Sequence, residues 1–173
     1  MKRLALLAFI LAATPVAADT AHQGQHSPYA GQEARDIKAL SPEEIADLNA
    51  GRGMGLALAA ELNGYPGPQH VLDLAQELQL TAEQRRQTSD LFDAMRIETS
   101  ALGANLIEAE RALDRLFAEK RATPDSVLAA SESAGTLRGE LRAAHLRYHL
   151  AMVEVLTAEQ VETYNRLRGY ARH

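Results

Sequence analysis

The sequence predicts an all-α protein, on the evidence of its composition, its apolar spacing and its helix starts. The 173 residues are 46% hydrophobic but only 5% aromatic, and Ala, Leu, Glu, Arg and Gln dominate. These residues favour helices, whereas a sandwich or barrel would need more β-branched and aromatic side chains. Apolar residues recur three, four and seven positions apart, which is the period of an amphipathic helix. Sequence patterns typical of helix N-caps occur where this apolar spacing is interrupted.

The first residues have the pattern of a secretory signal peptide rather than of a folded element. Lys2 and Arg3 precede the apolar run 4–13, and small residues at 16–18 suit cleavage after Ala18. The run is too short to span a bilayer, and no later stretch is long enough. The sequence therefore predicts a secreted protein without stable membrane insertion. We predict a signal peptide over 1–18, a flexible polar segment over 19–40 and one helical domain over 41–173.

Short helices open the predicted domain. Ser41 and Glu44 form a capping-box signature with Pro42 between them, so a helix begins there and stops at the segment AGRGMG, 50–55. A second short helix is predicted over 56–62, ending at Asn63-Gly64. A third is predicted from about Gln69 and carries apolar residues as far as position 78.

A long helical hairpin forms the rest of the predicted fold. Thr81 and Gln84 form another capping box, and helical apolar spacing then continues to about Lys120. Thr123-Pro124 opens a second long helix. Thr157 and Gln160 repeat the box and start the last helix. Two long helices joined by a three-residue turn are expected to pack antiparallel.

The pentapeptide LTAEQ occurs twice, at 80–84 and 156–160, each time at a predicted bend between helices. Two such LTxxQ motifs on a secreted, cysteine-free helical chain resemble the periplasmic CpxP/Spy/ZraP family, and more distantly the CnrX-type heavy-metal sensors. The similarity covers about 70–170. The positions that carry over are structural rather than catalytic: Leu80, Thr81, Gln84, Leu156, Thr157 and Gln160.

The resemblance implies a long, bent antiparallel hairpin with LTxxQ corners that dimerises into a cradle. Family members act as ATP-independent chaperones, envelope-stress regulators or metal-responsive proteins. The implied partners are therefore a second copy of the chain, unfolded client proteins or an envelope sensor protein. In the metal-binding branch, ligands come from the helix before each corner. Met152, four residues before Leu156, stands where the methionine of that branch would be. His70, ten residues before Leu80, is close to the place of a first-helix ligand, and the histidine register before the second corner differs by one residue.

Two histidines suggest a metal site independently of the resemblance. His145 and His149 lie four residues apart, which places both imidazoles on neighbouring turns of one helix face. With His70, Met152 and a carboxylate such as Asp73 or Glu154, they would suit Zn, Ni or Cu. The alternative is that both histidines simply flank the packing seam of the hairpin. His22 and His26 are either part of a flexible tail or a loose metal-gathering arm.

Other function classes find little support in the sequence. A net charge of −5 without a basic cluster argues against nucleic-acid binding. The GRGMG segment lacks the Lys-Ser/Thr of a nucleotide loop, so no nucleotide is expected. The serines at 131 and 133 lie on a polar face, and no nucleophile elbow surrounds them, so no enzymatic activity is expected. The leading hypothesis is a non-enzymatic envelope-stress protein that binds or senses a divalent heavy metal. The alternative is a metal-independent holdase or refolding chaperone with basic residues on its cradle, namely Arg111, Arg115, Arg138, Arg142 and Arg147.

Overall fold

A computed structural model describes residues 27–170, and within this range the protein is all-α, as predicted. The predicted signal peptide, His22 and His26 lie outside the described residues. A single 3-10 turn, Gln32–Ala34, precedes the α-helices. These are α1 (Pro42–Asn49), α2 (Leu58–Glu61), α3 (Pro68–Asp73), α4 (Ala82–Ala118), α5 (Pro124–Val155) and α6 (Ala158–Leu167). No helix in the described range combines the length and apolar character needed to cross a bilayer.

The predicted hairpin is confirmed by α4 and α5, which are joined by a short turn and pack against each other. At about 1.5 Å per residue, α4 is about 55 Å long. The helix α1 packs on α4, and α3 contacts both long helices. Thr123 caps α5 with both bonds of a capping box, and Pro124 occupies the first helical position. Local capping and apolar spacing thus define the frame on which the shorter helices are placed.

Two buried apolar clusters hold the shorter helices to the hairpin. The first joins Ile37, Leu40 and α1 to the middle of α4 and α5. Ile37 and Leu40 fall inside the predicted polar segment 19–40, so packed structure begins before Ser41. The second cluster joins α3, the end of α5 and α6, and its buried members are Val71, Leu78, Met152, Leu156 and Tyr164.

The backbone of α1 approaches α4 closely because α4 has a glycine at the contact. A Cβ at Gly103 would lie 2.8 Å from the carbonyl carbon of Leu48, and closer still to its oxygen. Nearby, Gly51 ends the α1 region with a left-handed φ of 67° and accepts a hydrogen bond from the Thr99 hydroxyl. The end of α1 therefore rests on the backbone of α4 rather than on side chains.

The two LTAEQ segments form equivalent corners that contact each other. Thr81 and Thr157 both cap their helices through complete capping boxes. Gln84 Nε2 donates to Gln160 Oε1 at 2.8 Å, and Gln160 Nε2 donates to Gln84 Oε1 at 3.1 Å. Each amide also donates to a carbonyl at the end of the opposite preceding segment, Val155 for Gln84 and Leu78 for Gln160. The motif glutamines thus cap their own helix and tie the two corners together.

The third helix is shorter than the sequence pattern indicates. It ends at Asp73, and the chain continues through turns to Leu80, whose N–H donates to the Ala75 carbonyl. Gln79 takes a left-handed conformation with φ 50°. This turn frees the Leu78 carbonyl from helical hydrogen bonding, so that Gln160 can bind it. The interaction is between distant segments, and local apolar spacing carries no signal for it.

The glutamine pair predicts strong energetic coupling between the corners. Gln84→Ala and Gln160→Ala are each expected to destabilise the protein by about 2 kcal/mol, because each leaves partly buried polar groups unpaired. The double variant should lose about 1–2 kcal/mol less stability than the sum of the two single losses, because the second substitution removes an amide whose partner is already absent. Urea denaturation of the four proteins measures both quantities. Gln76→Ala, on the exposed turn, is the control; additive single losses would contradict the coupling.

Candidate functional site

A cavity of about 570 Å³ brings together histidines that are distant in the sequence. Its walls are the segment 50–58, the start of α3, one turn of α4 and two turns of α5. His70 from α3 and His145 and His149 from α5 all line it. Met152 does not, because it is fully buried in the second apolar cluster. Three of the four predicted metal ligands therefore face one cavity.

His149 is held in place by the chain between α2 and α3. Its Nδ1 lies 2.7 Å from the Tyr65 carbonyl oxygen. Because a carbonyl can only accept, the neutral ring carries its proton on Nδ1 and leaves the lone pair of Nε2 for a ligand. The ring packs against Gly67, where a Cβ would lie 2.8 Å from Cε1 and 3.0 Å from Nε2. Gly67 thus provides the space that the imidazole occupies.

His145 is the most deeply buried of the three histidines, with 2% of its surface exposed. Its Nε2 is buried and has no hydrogen-bond partner among the described residues. Burial lowers the pKa of His145, and the neighbouring His149 lowers it further. The ring is therefore a neutral imidazole with an unused nitrogen, which is the form that ligates metals.

Glu61 is a buried carboxylate of the cavity that the sequence analysis did not identify. Its Oε1 accepts a hydrogen bond from the Tyr164 hydroxyl and lies 3.5 Å from Arg168 Nε. Its Oε2 is 3.7 Å from His149 Nδ1 and accepts no hydrogen bond from any residue of the range 27–170. The one available signal was a single acidic residue in the otherwise apolar run 56–62. A buried charge of this kind is retained only where partners compensate it.

Tyr164 and Arg168 connect this carboxylate to α6 and its C-terminal end. The Tyr164 side chain is fully buried, and burial together with the bond to Glu61 raises its pKa, so the phenol stays protonated and donates. Arg168 neutralises part of the carboxylate charge and donates to the Tyr170 hydroxyl. The acidic group of the cavity is thereby positioned by the helix that follows the second LTAEQ corner.

The remaining predicted ligands are less closely arranged. His70 is partly exposed, and its Nδ1 lies 3.5 Å from Asp73 Oδ2. Glu154 is exposed and does not line the cavity. Among residues 27–170, no three His, Asp or Glu side chains are grouped as a metal ion requires. The cavity therefore collects suitable donors without holding them in a ready coordination sphere.

The lowered pKa of His145 predicts acid sensitivity of the metal-free protein. Because the folded-state pKa is below the unfolded value, the unfolded chain binds the proton first as the pH falls. Stability contributed by the neutral ring is present above about pH 6.5 and is lost below it. The unfolding free energy of the wild type should fall more steeply between pH 7 and 5.5 than that of His145→Gln. Urea denaturation of both proteins at several pH values tests this. An equal dependence of the unfolding free energy on pH in the two proteins would contradict it.

Comparison with known proteins relates this geometry to one family. A family model described as heavy-metal resistance matches residues 50–162, which include the cavity histidines and both LTAEQ corners. No curated protein and no solved structure matches the chain. The match covers well over half of the sequence, and it includes the segment that builds the cavity. The chain belongs to the heavy-metal resistance family.

Proposed function

We propose that this protein is a non-enzymatic periplasmic envelope-stress protein, of the CpxP/Spy type, that binds a divalent heavy metal in the cavity. The observation that carries the proposal is the convergence of His70, His145 and His149 on one cavity in a chain of the heavy-metal resistance family. The predicted signal peptide supports export to the periplasm. The two LTAEQ corners, with their paired glutamines, support the resemblance to the LTxxQ proteins.

The donor chemistry fits a borderline metal ion. His145 Nε2 and Glu61 Oε2 are buried without a hydrogen-bond partner among residues 27–170, and the bond of His149 Nδ1 to the Tyr65 carbonyl leaves the Nε2 lone pair of His149 for a ligand. Such a set suits Zn, Ni or Cu(II). The partly exposed His70 would complete it by turning away from Asp73. Met152 was proposed as a ligand from the sequence, but its burial in the second cluster favours a packing role.

A metal ion held in this way would link α3 to α5. The link would join the segments before the two corners, and it would bias the position of α3 on the hairpin. Through Glu61 and Tyr164 the same site contacts α6. We propose that this change is transmitted to a second copy of the chain in a homodimer, or to an envelope sensor protein.

Calorimetric titration of residues 19–173 with ZnCl₂, NiCl₂ and CuCl₂ tests the proposal. His22 and His26 are replaced by alanine in every protein, so that the N-terminal histidines do not contribute. We expect one ion per chain and a higher melting temperature with metal, since the ion binds only the folded state. His145→Ala/His149→Ala should bind at least about 100-fold more weakly. Equal binding by both proteins, or none by either, would show that these histidines only pack.

A metal-independent holdase is a second candidate, supported by large apolar side chains that remain exposed on the hairpin. Ile97, Phe117, Leu128 and Leu150 are each more than half exposed. The proposed basic face is weaker, because Arg111, Arg138 and Arg147 are all paired with carboxylates. Suppression of client aggregation that is equal with and without metal, and unchanged in the double histidine variant, would favour this candidate.

A further inference from the structure

We propose that the same cavity has a second binding site, for an organic carboxylate with an apolar body. In this site the carboxylate would pair with Arg96, and the apolar body would lie on the wall formed by Met54, Leu58, Phe92 and Met95. This wall is called the apolar wall below. The proposal goes beyond metal binding and concerns the part of the cavity lining formed by these side chains rather than by the three histidines.

The size of the cavity is the first argument. A volume of about 570 Å³ lies within the range of small-molecule sites, roughly 300–1,000 Å³. A single metal ion bound by the histidines would fill only a small part of this volume. The cavity is also lined by side chains that are not among the proposed metal ligands.

The chemistry of the apolar wall is the second argument. Met95 is buried, whereas Met54 and Leu58 are 41% and 54% exposed although they line the cavity. Large apolar side chains at a cavity mouth favour a ligand that removes their surface from water. Met54 also has a left-handed φ of 46° between Gly53 and Gly55. This conformation is unfavourable for a residue with a Cβ and is concentrated at binding sites.

The charge distribution is the third argument, and it specifies the anionic end of the ligand. Gly51 packs on the backbone of Arg96 in α4, and the side chains of Arg52 and Arg96 both line the cavity. Arg52 is paired with Asp47. Arg96 is 3.9 Å from Asp93, and both side chains are 60% exposed, so this contact is weak. A ligand carboxylate can therefore form a bidentate pair with Arg96.

Glu61 determines the orientation of the ligand. Glu61 places a buried carboxylate in the cavity lining, beside Arg168 and His149. The carboxylate of the ligand would be repelled by Glu61 and attracted by Arg96. The proposed carboxylate site thus uses Arg96, whereas the proposed metal site uses the histidines and Glu61, so each can be tested with its own variants.

Titration of residues 19–173 with sodium octanoate and with 1-octanol in metal-free buffer tests this assignment. Octanoate should bind several-fold more tightly than octanol. Arg96→Gln should weaken octanoate binding roughly tenfold, because it removes a charge-assisted pair, and leave octanol binding unchanged. Ala57→Phe, which fills the cavity from its wall, should weaken both. Arg85→Gln, an exposed arginine of α4 away from the cavity, is the matched control.

Three outcomes would overturn the proposal: no octanoate binding, equal binding of octanoate and octanol, or equal losses in Arg96→Gln and Arg85→Gln. Metal titrations of the same variants keep the two sites distinguishable. Arg96→Gln should retain the metal affinity of the wild type, and His145→Ala/His149→Ala should retain octanoate binding. Failure of metal binding alone would leave the carboxylate site standing, and the reverse is also true.

Discussion

Replacing Gly103 by alanine is expected to destabilise the protein by about 2 kcal/mol, and replacing it by valine by about 4 kcal/mol. A Cβ at this position meets the Leu48 backbone, which cannot move aside by changing a rotamer. The helix α1 must therefore shift away from α4 and expose part of the first apolar cluster. Thermal unfolding should show the loss as a decrease in Tm of several degrees for alanine.

The direction of this effect separates packing from helix propensity. In a helix interior, glycine to alanine by itself stabilises by about 0.5–1 kcal/mol. Gly135 and Gly139 on α5 are matched controls, because a Cβ at either position meets no atom within 4 Å. Alanine at those positions should raise Tm slightly. An increase at Gly103 as well would show that α1 does not rest on α4 as described.

Replacing Glu61 by alanine is expected to cost about 3 kcal/mol in the metal-free protein. The change leaves the buried Tyr164 hydroxyl without its acceptor and Arg168 without its carboxylate. The stability lost by leaving Arg168 without its carboxylate is smaller than for a fully buried arginine. Its side chain is about one third exposed, so water can solvate it. Urea denaturation gives the value directly.

Two variants make the result specific. Glu61→Gln keeps an acceptor for Tyr164 but removes the charge, so its unfolding free energy should lie between those of Glu61→Ala and the wild type. Glu77→Ala, an exposed carboxylate near the first corner, should change stability by less than about 0.5 kcal/mol. If Glu61→Ala is as neutral as Glu77→Ala, then the carboxylate does not hold α6 in place.

The helices were predictable because their signals are local. Ser41, Thr81, Thr123 and Thr157 each form the complete capping box that the residue three positions later provides. Apolar spacing then gave the hairpin. The end of α3 was not predictable in this way, because the turns that follow it contact a distant segment through the hydrogen bond between Leu78 and Gln160, 82 residues apart.

The candidate site was only partly predictable for the same reason. His145 and His149 share a helix face by their spacing alone, and the resemblance added His70 and Met152. Which of them line one cavity depends on how α3 docks, and this docking directs Met152 into the apolar cluster instead. Glu61 belongs to a four-residue helix whose only unusual feature is one charge among alanines and leucines. Its partners come from α5 and from the α6 region, more than 80 residues away.

The reciprocal hydrogen bonds of Gln84 and Gln160 make the hairpin a ring that is closed at both ends. One end of the ring is closed covalently by the turn at 119–123, and the other is closed by the two amides, 76 residues apart in sequence. Helices joined at both ends can bow apart in the middle, but they cannot splay at their tips without breaking both corners at once. Motion of α4 against α5 is thereby directed to the turns between the two closed ends, and both the cavity and the first apolar cluster lie there.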